Sequence, residues 1–277
     1  MIKLISANHR YLVKSKLFWI EVIVCAVISV WIMVANYSPK IQASEYPIFL
    51  ENSFFNFSQI ICILFACVIS MITGTEYSDG TIRNKLIVGH KRYEIYFAML
   101  ISNVVASVLV MAVHCIVSYA AGYFLFGGFH ISAVQIIIAL VCNLLANLAF
   151  VTLFSAIAMN CSNKALTAIL SILLSLGVII AANIAGNRLD EPEMVYDGVI
   201  ITENGFQYGD LVENPNYVTG FARSICEFIF NVLPSGQLIQ IKSLDLADWQ
   251  YWCASSVLLF VVITIIGYVF FEKKDIT

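Results

Sequence analysis

Residues 75–92 read TEYSDGTIRNKLIVGHKR and form a short charged segment between two long apolar runs. Ser78 and Asp79 are residue types that commonly cap the start of a helix, and Gly89 is a type that commonly follows its end. Between these positions, aliphatic residues fall on one helical face and polar residues on the other. The two sets are Ile82, Leu86 and Ile87, and Arg83, Asn84 and Lys85. The segment therefore predicts a short amphipathic helix at a membrane surface, although a plain basic loop would carry the same charges.

The composition of the whole chain is that of a membrane protein. Of its 277 residues, 60% are hydrophobic and 12% are charged, whereas soluble domains are about half apolar and about a quarter charged. The mean hydropathy is +0.87. The apolar residues occur in runs of about 20 or more, which is the length that crosses a bilayer. These values predict an all-α polytopic membrane protein, and they argue against a membrane β-barrel, whose segments are short and alternating.

The chain is expected to fold as one membrane domain with six spans and a single long polar stretch. An interfacial helix is expected over residues 1–16, where basic and apolar residues form separate stripes. The acidic and amphipathic stretch at residues 186–249 separates the fifth span from the sixth. The spans are expected at about residues 17–37, 53–73, 95–126, 133–157, 165–185 and 251–271.

The second half of the long polar stretch predicts an amphipathic helix that lies on the membrane or dips into it and returns. Its apolar face consists of Phe221, Ile225, Phe228, Ile229 and Val232. Residues 234–236 read PSG and are expected to end this helix. Cys226 and Cys253 lie on the same side of the membrane in this layout, so they are candidates for a disulfide, although separate thiols are the commoner case.

The distribution of basic residues predicts the orientation of the chain. With six spans and a cytoplasmic N-terminus, eleven of the 15 Lys and Arg residues fall inside the cell, which is the usual bias. Both termini are therefore expected in the cytoplasm. The eleven are Lys3, Arg10, Lys14, Lys16, Arg83, Lys85, Lys91, Arg92, Lys164, Lys273 and Lys274.

Polar residues within the spans have two interpretations. Asn103, Ser107, His114 and Ser118 share one face of the third span, and Asn143 and Asn147 lie four residues apart in the fourth. Such residues either hydrogen-bond across helices or line a substrate path, and the first is the commoner role. Glu21, the only acid of the first span, is expected to pair with Lys14 or Lys16, with a functional role as the alternative.

The sequence lacks the motifs of the common membrane and soluble enzymes. It contains no G-x-x-x-x-G-K-[ST], no H-E-x-x-H and no G-x-S-x-G. The chain is therefore expected not to be an enzyme and to bind no cofactor, metal or nucleic acid. If it transports uphill, the energy must come from another subunit.

Two segments resemble a known family. Residues 76–86, EYSDGTIRNKL, followed by Lys91 and Arg92, resemble the first cytoplasmic loop of ABC-2 type transporter permeases, the membrane subunits of ATP-binding cassette exporters. Residues 267–276, GYVFFEKKDI, are similar to the family's usual C-terminal end. The six-span layout with a large outer element before the last span is similar to that of the ABCG-like members.

The resemblance implies a function and partners. In the family, a coupling helix in this loop contacts a separate ATPase subunit, present in two copies, which binds ATP and Mg²⁺. A second permease chain, identical or different, completes the pathway. The positions that the resemblance assigns to coupling are Glu76, Tyr77, Asp79, Gly80, Thr81, Arg83, Lys85 and Arg92.

The resemblance also implies a pathway between the second and fifth spans of two chains. Candidate lining residues are Ser58, Gln59, Phe65, Ser171 and Ser175. The expected function is export of a hydrophobic or amphiphilic compound, such as an antimicrobial peptide or a drug, across the cell membrane. The alternative is a membrane receptor or immunity protein that binds a peptide at its outer loop without transport.

Overall fold

The structure, a computed structural model, describes residues 1–42, 47–202 and 205–275 of the chain. Ile276 of the C-terminal segment and residues 203–204 of the outer stretch lie outside these ranges. Helices make up 81% of the structure. Within the described ranges, six helices are long and apolar enough to cross a membrane. The all-α polytopic membrane fold predicted from the composition is therefore confirmed.

The helices and strands follow one another in a simple order, and the second span consists of α4, a 3₁₀ turn and α5. The other spans are α2, α7, α8, α9 and α12. The elements are α1 (Ile2–Lys14), α2 (Lys16–Asn36), α3 (Pro39–Gln42), α4 (Leu50–Phe54), the 3₁₀ turn (Phe55–Phe57), α5 (Ser58–Ser78), α6 (Thr81–Ile87), α7 (Arg92–Phe126), α8 (Ala133–Asn160), α9 (Lys164–Asp190), β1 (Met194–Tyr196), β2 (Val199–Thr202), β3 (Gly205–Tyr208), β4 (Leu211–Glu213), α10 (Gly220–Val232), α11 (Pro234–Ser243) and α12 (Trp249–Lys273).

The break in the second span is held by contacts with α7. Leu50 is fully buried and occupies a space that exists only because residue 122 of α7 is glycine, since a Cβ there would collide with the Leu50 side chain. His114 of α7 forms a hydrogen bond with the backbone of Phe54, next to the 3₁₀ turn. A backbone group freed from the helical ladder inside a membrane needs such a partner.

Several spans extend further than the apolar runs that predict them. The helix α5 continues to Ser78, and α7 begins at Arg92 rather than residue 95. Sequence reasoning ends a span where polar residues begin. In the structure, the polar residues at these ends find partners inside the protein, so the helices continue through them.

Polar residues within the spans hydrogen-bond across helices. The ring Nδ1 of His114 lies 2.8 Å from the hydroxyl of Ser29 on α2 and 3.1 Å from that of Ser118. The Asn103 amide donates to Ser155, and the Asn143 amide donates to Ser58. The interhelical interpretation therefore holds for His114, Asn103 and Asn143, whereas Ser107, Ser118 and Asn147 form hydrogen bonds within their own helices.

Glu21 does not form the expected pair with Lys14 or Lys16. Its side chain is only 4% exposed, and its Oε1 has no hydrogen-bond partner among the described residues. Lys14 and Lys16 are exposed at the membrane-surface end of α2. Glu21 belongs instead to the buried face of α2 that also contains Phe18 and Cys25, so the two lysines and the carboxyl point in different directions.

The end of the bundle opposite α6 contains a β-hairpin and two helices. The pairs β1–β4 and β2–β3 are antiparallel, and backbone bonds from Asp197 to Asp210 and from Gly209 to Gly198 join them into one continuous hairpin. The helix α10 ends at Val232, just before residues 234–236 as predicted, and Pro234 is the first residue of a further helix, α11. The helix α10 has no buried residues, whereas most of α11 is buried among the spans. The two helices therefore form a segment that enters the bundle and returns.

The cysteines of the structure are free thiols. Cys226 and Cys253, the candidate disulfide pair, are both unpaired. The Sγ atom of Cys253 lies 3.5 Å from that of Cys142 on α8. The neighbour of Cys253 is therefore another spanning helix and not α10.

Candidate functional site

The short helix α6 is set off from the spans by two glycine turns. Gly80 has φ = 68° and Gly89 has φ = 97°, conformations that residues with side chains rarely adopt. The helix begins at Thr81, later than the cap residues Ser78 and Asp79 predict, because Ser78 belongs to α5 and donates its hydroxyl hydrogen bond back to Thr75. At the other end, the Gly89 N–H donates to the Leu86 carbonyl, so α6 ends where the sequence predicts.

One side of α6 is anchored to α1 and α5 by a buried ion pair. The ammonium of Lys85 lies 2.7 Å from Oε2 of Glu76 and donates to Oδ1 of Asn8 at 3.0 Å. Ile82 is 1% exposed and packs in a small core with Leu4 of α1 and residues of α7 and α12. We call the trio Asn8, Glu76 and Lys85 the lysine anchor.

A second cluster joins the ends of α5, α7, α8 and α12. The Tyr77 hydroxyl donates to the carbonyl of Met159, and the Lys274 ammonium lies 4.0 Å from the centre of the Tyr77 ring. Arg92 donates to the carbonyls of Phe271 at 3.0 Å and of Lys274 at 2.6 Å. We call Tyr77, Arg92, Met159, Phe271 and Lys274 the tyrosine cluster.

Close packing of α8 against α12 supports the tyrosine cluster. The Asn160 amide donates to the carbonyl of Gly267, one turn before Phe271. A Cβ at position 267 would collide with the Tyr96 hydroxyl and the Ala156 side chain. Only glycine therefore permits this approach.

The other side of α6 faces away from the protein. Asp79, Arg83 and Asn84 are exposed. Ile87 is 72% exposed and Val88 is 78% exposed, although both are aliphatic. The exposed tip of α6 therefore combines two bare aliphatic side chains with a polar rim.

The structure divides the eight predicted coupling residues into two groups. The inner group consists of Glu76 and Lys85, which belong to the lysine anchor, and of Tyr77 and Arg92, which belong to the tyrosine cluster. Asp79 and Arg83 are exposed, and Gly80 and Thr81 form the turn between the groups. Burial together with the nearby acids Glu76 and Asp79 raises the pKa of Tyr11 on α1, so α1 lies close to this site.

A polar cleft of about 440 Å³ opens beside α6. Arg83 lines one side, and Ser162 and Asp275 line the other. In the described part of the chain, no three His, Cys, Asp or Glu side chains are close enough to hold a metal ion. The side chains that line the cleft offer hydrogen bonds and charge.

The candidate pathway residues are engaged within one chain. Ser58 accepts from Asn143, Gln59 donates to the carbonyl of Ser235 on α11, and Ser171 accepts from Ser70 of α5. Phe65 is 2% exposed, and Ser175 is fully buried and donates to the carbonyl of Ile172. These residues join α5 to α8, α9 and α11, and the structure does not bring them together at an open surface.

Sequence reasoning missed several residues of the lysine anchor and the tyrosine cluster. Asn8, Met159 and Phe271 take part through α1, α8 and α12, which are far apart in sequence. Two of them contribute backbone carbonyls, which no residue type reveals. For Lys274, the sequence indicates a role in orientation and a place in the family-like segment 267–276, but no contact with Tyr77.

One comparison with known proteins identifies a relative family. A family model described as "ABC-2 family transporter protein" matches residues 9–182, which is more than half of the chain and runs from α1 into α9. The matched range includes α6 and most residues of the lysine anchor and of the tyrosine cluster. No curated protein matches the sequence.

Proposed function

This chain belongs to the ABC-2 transporter family, and we propose that it is an export permease that couples to a separate ATPase through α6. Family membership makes it a membrane-embedded permease component of an ABC transporter that works with an ABC ATPase and is not itself catalytic. The direction of transport, the docking helix and the substrate are the parts that we propose.

The observation that carries the docking proposal is the two-sided character of α6. Its inner side is held by the lysine anchor and the buried Ile82, whereas Ile87 and Val88 are bare at its tip. Exposed aliphatic residues inside a polar rim are typical of a surface that another protein covers. We propose that this tip, with Asp79 and Arg83, docks on the ATPase, which binds ATP and Mg²⁺.

The lysine anchor and the tyrosine cluster provide a route by which the ATPase could act on the spans. A force on α6 reaches α1 and α5 through Lys85, and it reaches α7, α8 and α12 through Tyr77 and Arg92. Because packed helices move as rigid elements, closure of two ATPase subunits would shift several spans together. The proposed assembly has two permease chains and two ATPases, with both permease termini in the cytoplasm.

The surface of α9 supports an amphiphilic substrate. Its exposed face is aliphatic over most of its length, and the exposed polar residues Asn183, Asn187 and Asp190 lie toward its C-terminal end. The exposed aliphatic residues include Leu166, Ile169, Leu173, Ile180 and Ile184. We propose that this face lines the pathway between two chains, and that Ser58, Gln59, Phe65, Ser171 and Ser175 become accessible only when α5 and α9 separate. A hydrophobic peptide or a drug fits such a wall.

The experiment that tests this function is gentle purification of the protein from its native membrane. We expect a chain with a Walker loop to copurify at one copy per permease and to hydrolyse ATP. The double variant Asp79→Lys with Arg83→Glu should lose that chain, and Lys273→Gln should retain it. Copurification that the double variant leaves unchanged would contradict docking at α6.

A second candidate function is peptide capture without transport. The hairpin formed by β1–β4 exposes Tyr196 and Tyr208, whose rings lie 4.8 Å apart. Residues 189–222 contain seven acids and no Lys, Arg or His, a charge that attracts cationic peptides. The two functions differ in one result: a receptor would bind a cationic peptide with full affinity when no ATPase is present and would hydrolyse no ATP.

A further inference from the structure

An apolar groove lies between α8, α9 and α12 on the side of the bundle that carries α6. Its volume is about 660 Å³, within the range of about 300–1,000 Å³ of pockets that hold small amphiphiles. It opens toward lipid, because its walls belong to spanning helices. The wall residues include Leu153, Ile157, Leu170, Ile263, Ile266 and Phe270.

The groove ends beside the polar cleft described above. Cys161 and Lys274 line the groove, and the residues that follow them in the chain, Ser162 and Asp275, line the cleft. The two spaces therefore share a border at these peptide segments. An apolar channel that continues into a polar cleft has the shape of an amphiphile, with a tail on one side and a headgroup on the other.

The border between the groove and the cleft carries a cation without an ionic partner. The Lys274 ammonium lies 3.4 Å from the Met159 carbonyl and faces the Tyr77 ring. Among the described residues, no ion pair includes Lys274 or Arg83 of the cleft. Asp275 is the carboxylate that lines the cleft, which leaves the two cations in excess.

The partial burial of Lys274 favours an anionic neighbour. Burial lowers the pKa of its ammonium, because a low-dielectric surrounding disfavours the charged form. A phosphate at the border would offset that penalty. A zwitterionic headgroup would do so less well, since its own ammonium would lie near Lys274.

We propose that the groove and cleft bind one anionic phospholipid from the adjacent leaflet, with an acyl chain in the groove and the phosphate near Lys274 and Arg83. Arg83 belongs to α6 and Lys274 follows α12, so the bound lipid would link the docking helix to the last span. The lipid site stands independently of the proposed function. Its effect on ATP hydrolysis rests on that function.

The test is native mass spectrometry of the purified full-length chain titrated with palmitoyl-oleoyl phosphatidylglycerol or with the corresponding phosphatidylcholine. The wild type should bind the anionic lipid more tightly. Lys274→Gln should weaken binding of the anionic lipid about fivefold, from about 1 kcal/mol per basic residue near a membrane surface, and leave phosphatidylcholine unchanged. Lys273→Gln is the matched control, because Lys273 is the exposed neighbour outside the groove.

A second pair of variants tests the acyl-chain half of the site. Ile266→Trp should fill the groove and weaken binding of both lipids. Ile265→Trp should leave binding unchanged, because Ile265 is 57% exposed, similar to Ile266 at 50%, but does not line the groove. If Ile266→Trp does not fold, the comparison of Lys274→Gln with Lys273→Gln decides the question.

Two results would overturn the lipid site. Equal affinities of the wild type for the two lipids would remove the anionic selectivity, and equal effects of the two lysine variants would remove Lys274 from the site. In nanodiscs with the ATPase bound, phosphatidylglycerol should stimulate ATP hydrolysis less for Lys274→Gln than for Lys273→Gln. Lipid binding without that difference would overturn only the link to ATP hydrolysis.

Discussion

Lys85 is the residue on which the position of α6 depends most. It lies between the carboxylate of Glu76 and the amide oxygen of Asn8, and the ion-paired side chains are only 13% and 6% exposed. Breaking one partner of a buried pair is costly because the remaining charge has no counterion, whereas replacing both is tolerated better.

We therefore predict that Lys85→Met lowers the free energy of unfolding by about 3 kcal/mol. The double variant Glu76→Gln with Lys85→Met should recover much of that loss, because no charge is left buried. Thermal unfolding of the purified permease measures both. A single variant as stable as the wild type would show that the lysine anchor does not hold α6.

Gly267 is the second residue with a defined structural requirement. A methyl group at this position meets the Tyr96 hydroxyl and Ala156, and Tyr96 has no hydrogen-bond partner for that hydroxyl among the described residues. We predict that Gly267→Ala destabilises the protein by about 1–3 kcal/mol through overpacking, and that adding Tyr96→Phe relieves part of the loss.

The same unfolding measurement includes a control glycine. Gly177 of α9 has nothing within 4 Å of a built Cβ, so Gly177→Ala should not destabilise the protein. If both alanine variants behaved alike, the close approach of α8 and α12 at Gly267 would be unsupported.

At the scale of the elements, the position of α11 depends on the hydrogen bonds of one glutamine, Gln237. The amide of Gln237 donates to the carbonyl of Val232 at 3.0 Å and to the hydroxyl of Ser255 on α12 at 2.9 Å, and its oxygen accepts from Ser256 at 2.7 Å. These bonds connect the returning segment to the last span.

We predict that Gln237→Leu loosens α11, because it leaves buried polar groups unpaired at a cost of about 1–3 kcal/mol each. Limited proteolysis at the end of the bundle that contains the β-hairpin should become faster for this variant. Lys242→Gln, at an exposed position of the same helix, should be cleaved at the wild-type rate. Equal cleavage of both variants would contradict a role for Gln237 in holding α11.

The sequence predicts elements well where one physical signal dominates. Long apolar runs locate all six spans, and Gly89 marks the end of α6 because its conformation is special. The 3₁₀ turn before Ser58, the β-hairpin and α11 are not visible in the same way. Each depends on contacts with distant residues, such as the space over Gly122 or the bonds of Gln237, that leave no local pattern.

The location of the candidate site was predictable from the sequence, but which of its residues face inward and which are exposed was not. The wording of residues 76–86 identifies the loop, and hydrophobic periodicity places Ile82 on the buried face. The same periodicity places Ile87 on that face, yet Ile87 is 72% exposed. Lys85 faces inward, where it contacts Asn8 of α1 and Glu76 of α5.

At the scale of the whole molecule, one chain would supply half of the proposed pathway. Four of the five candidate pathway residues are buried within the chain and Gln59 is half-buried, whereas the aliphatic face of α9 and the tip of α6 are uncovered. A second permease chain on α9 and an ATPase on α6 would cover both surfaces. Docking at α6 is the central proposal, because it is the contact through which ATP binding would move the spans.

The most direct test is the affinity between the purified permease and its ATPase, measured with ATP hydrolysis on the same samples. Ile87→Glu with Val88→Glu should weaken binding at least tenfold and abolish stimulated hydrolysis, since two desolvated aliphatic anchors would become buried charges. Phe221→Glu is the control, because Phe221 is 82% exposed on α10, at the end of the bundle opposite α6, and it should bind as the wild type does. Wild-type affinity of the double variant would contradict docking at α6.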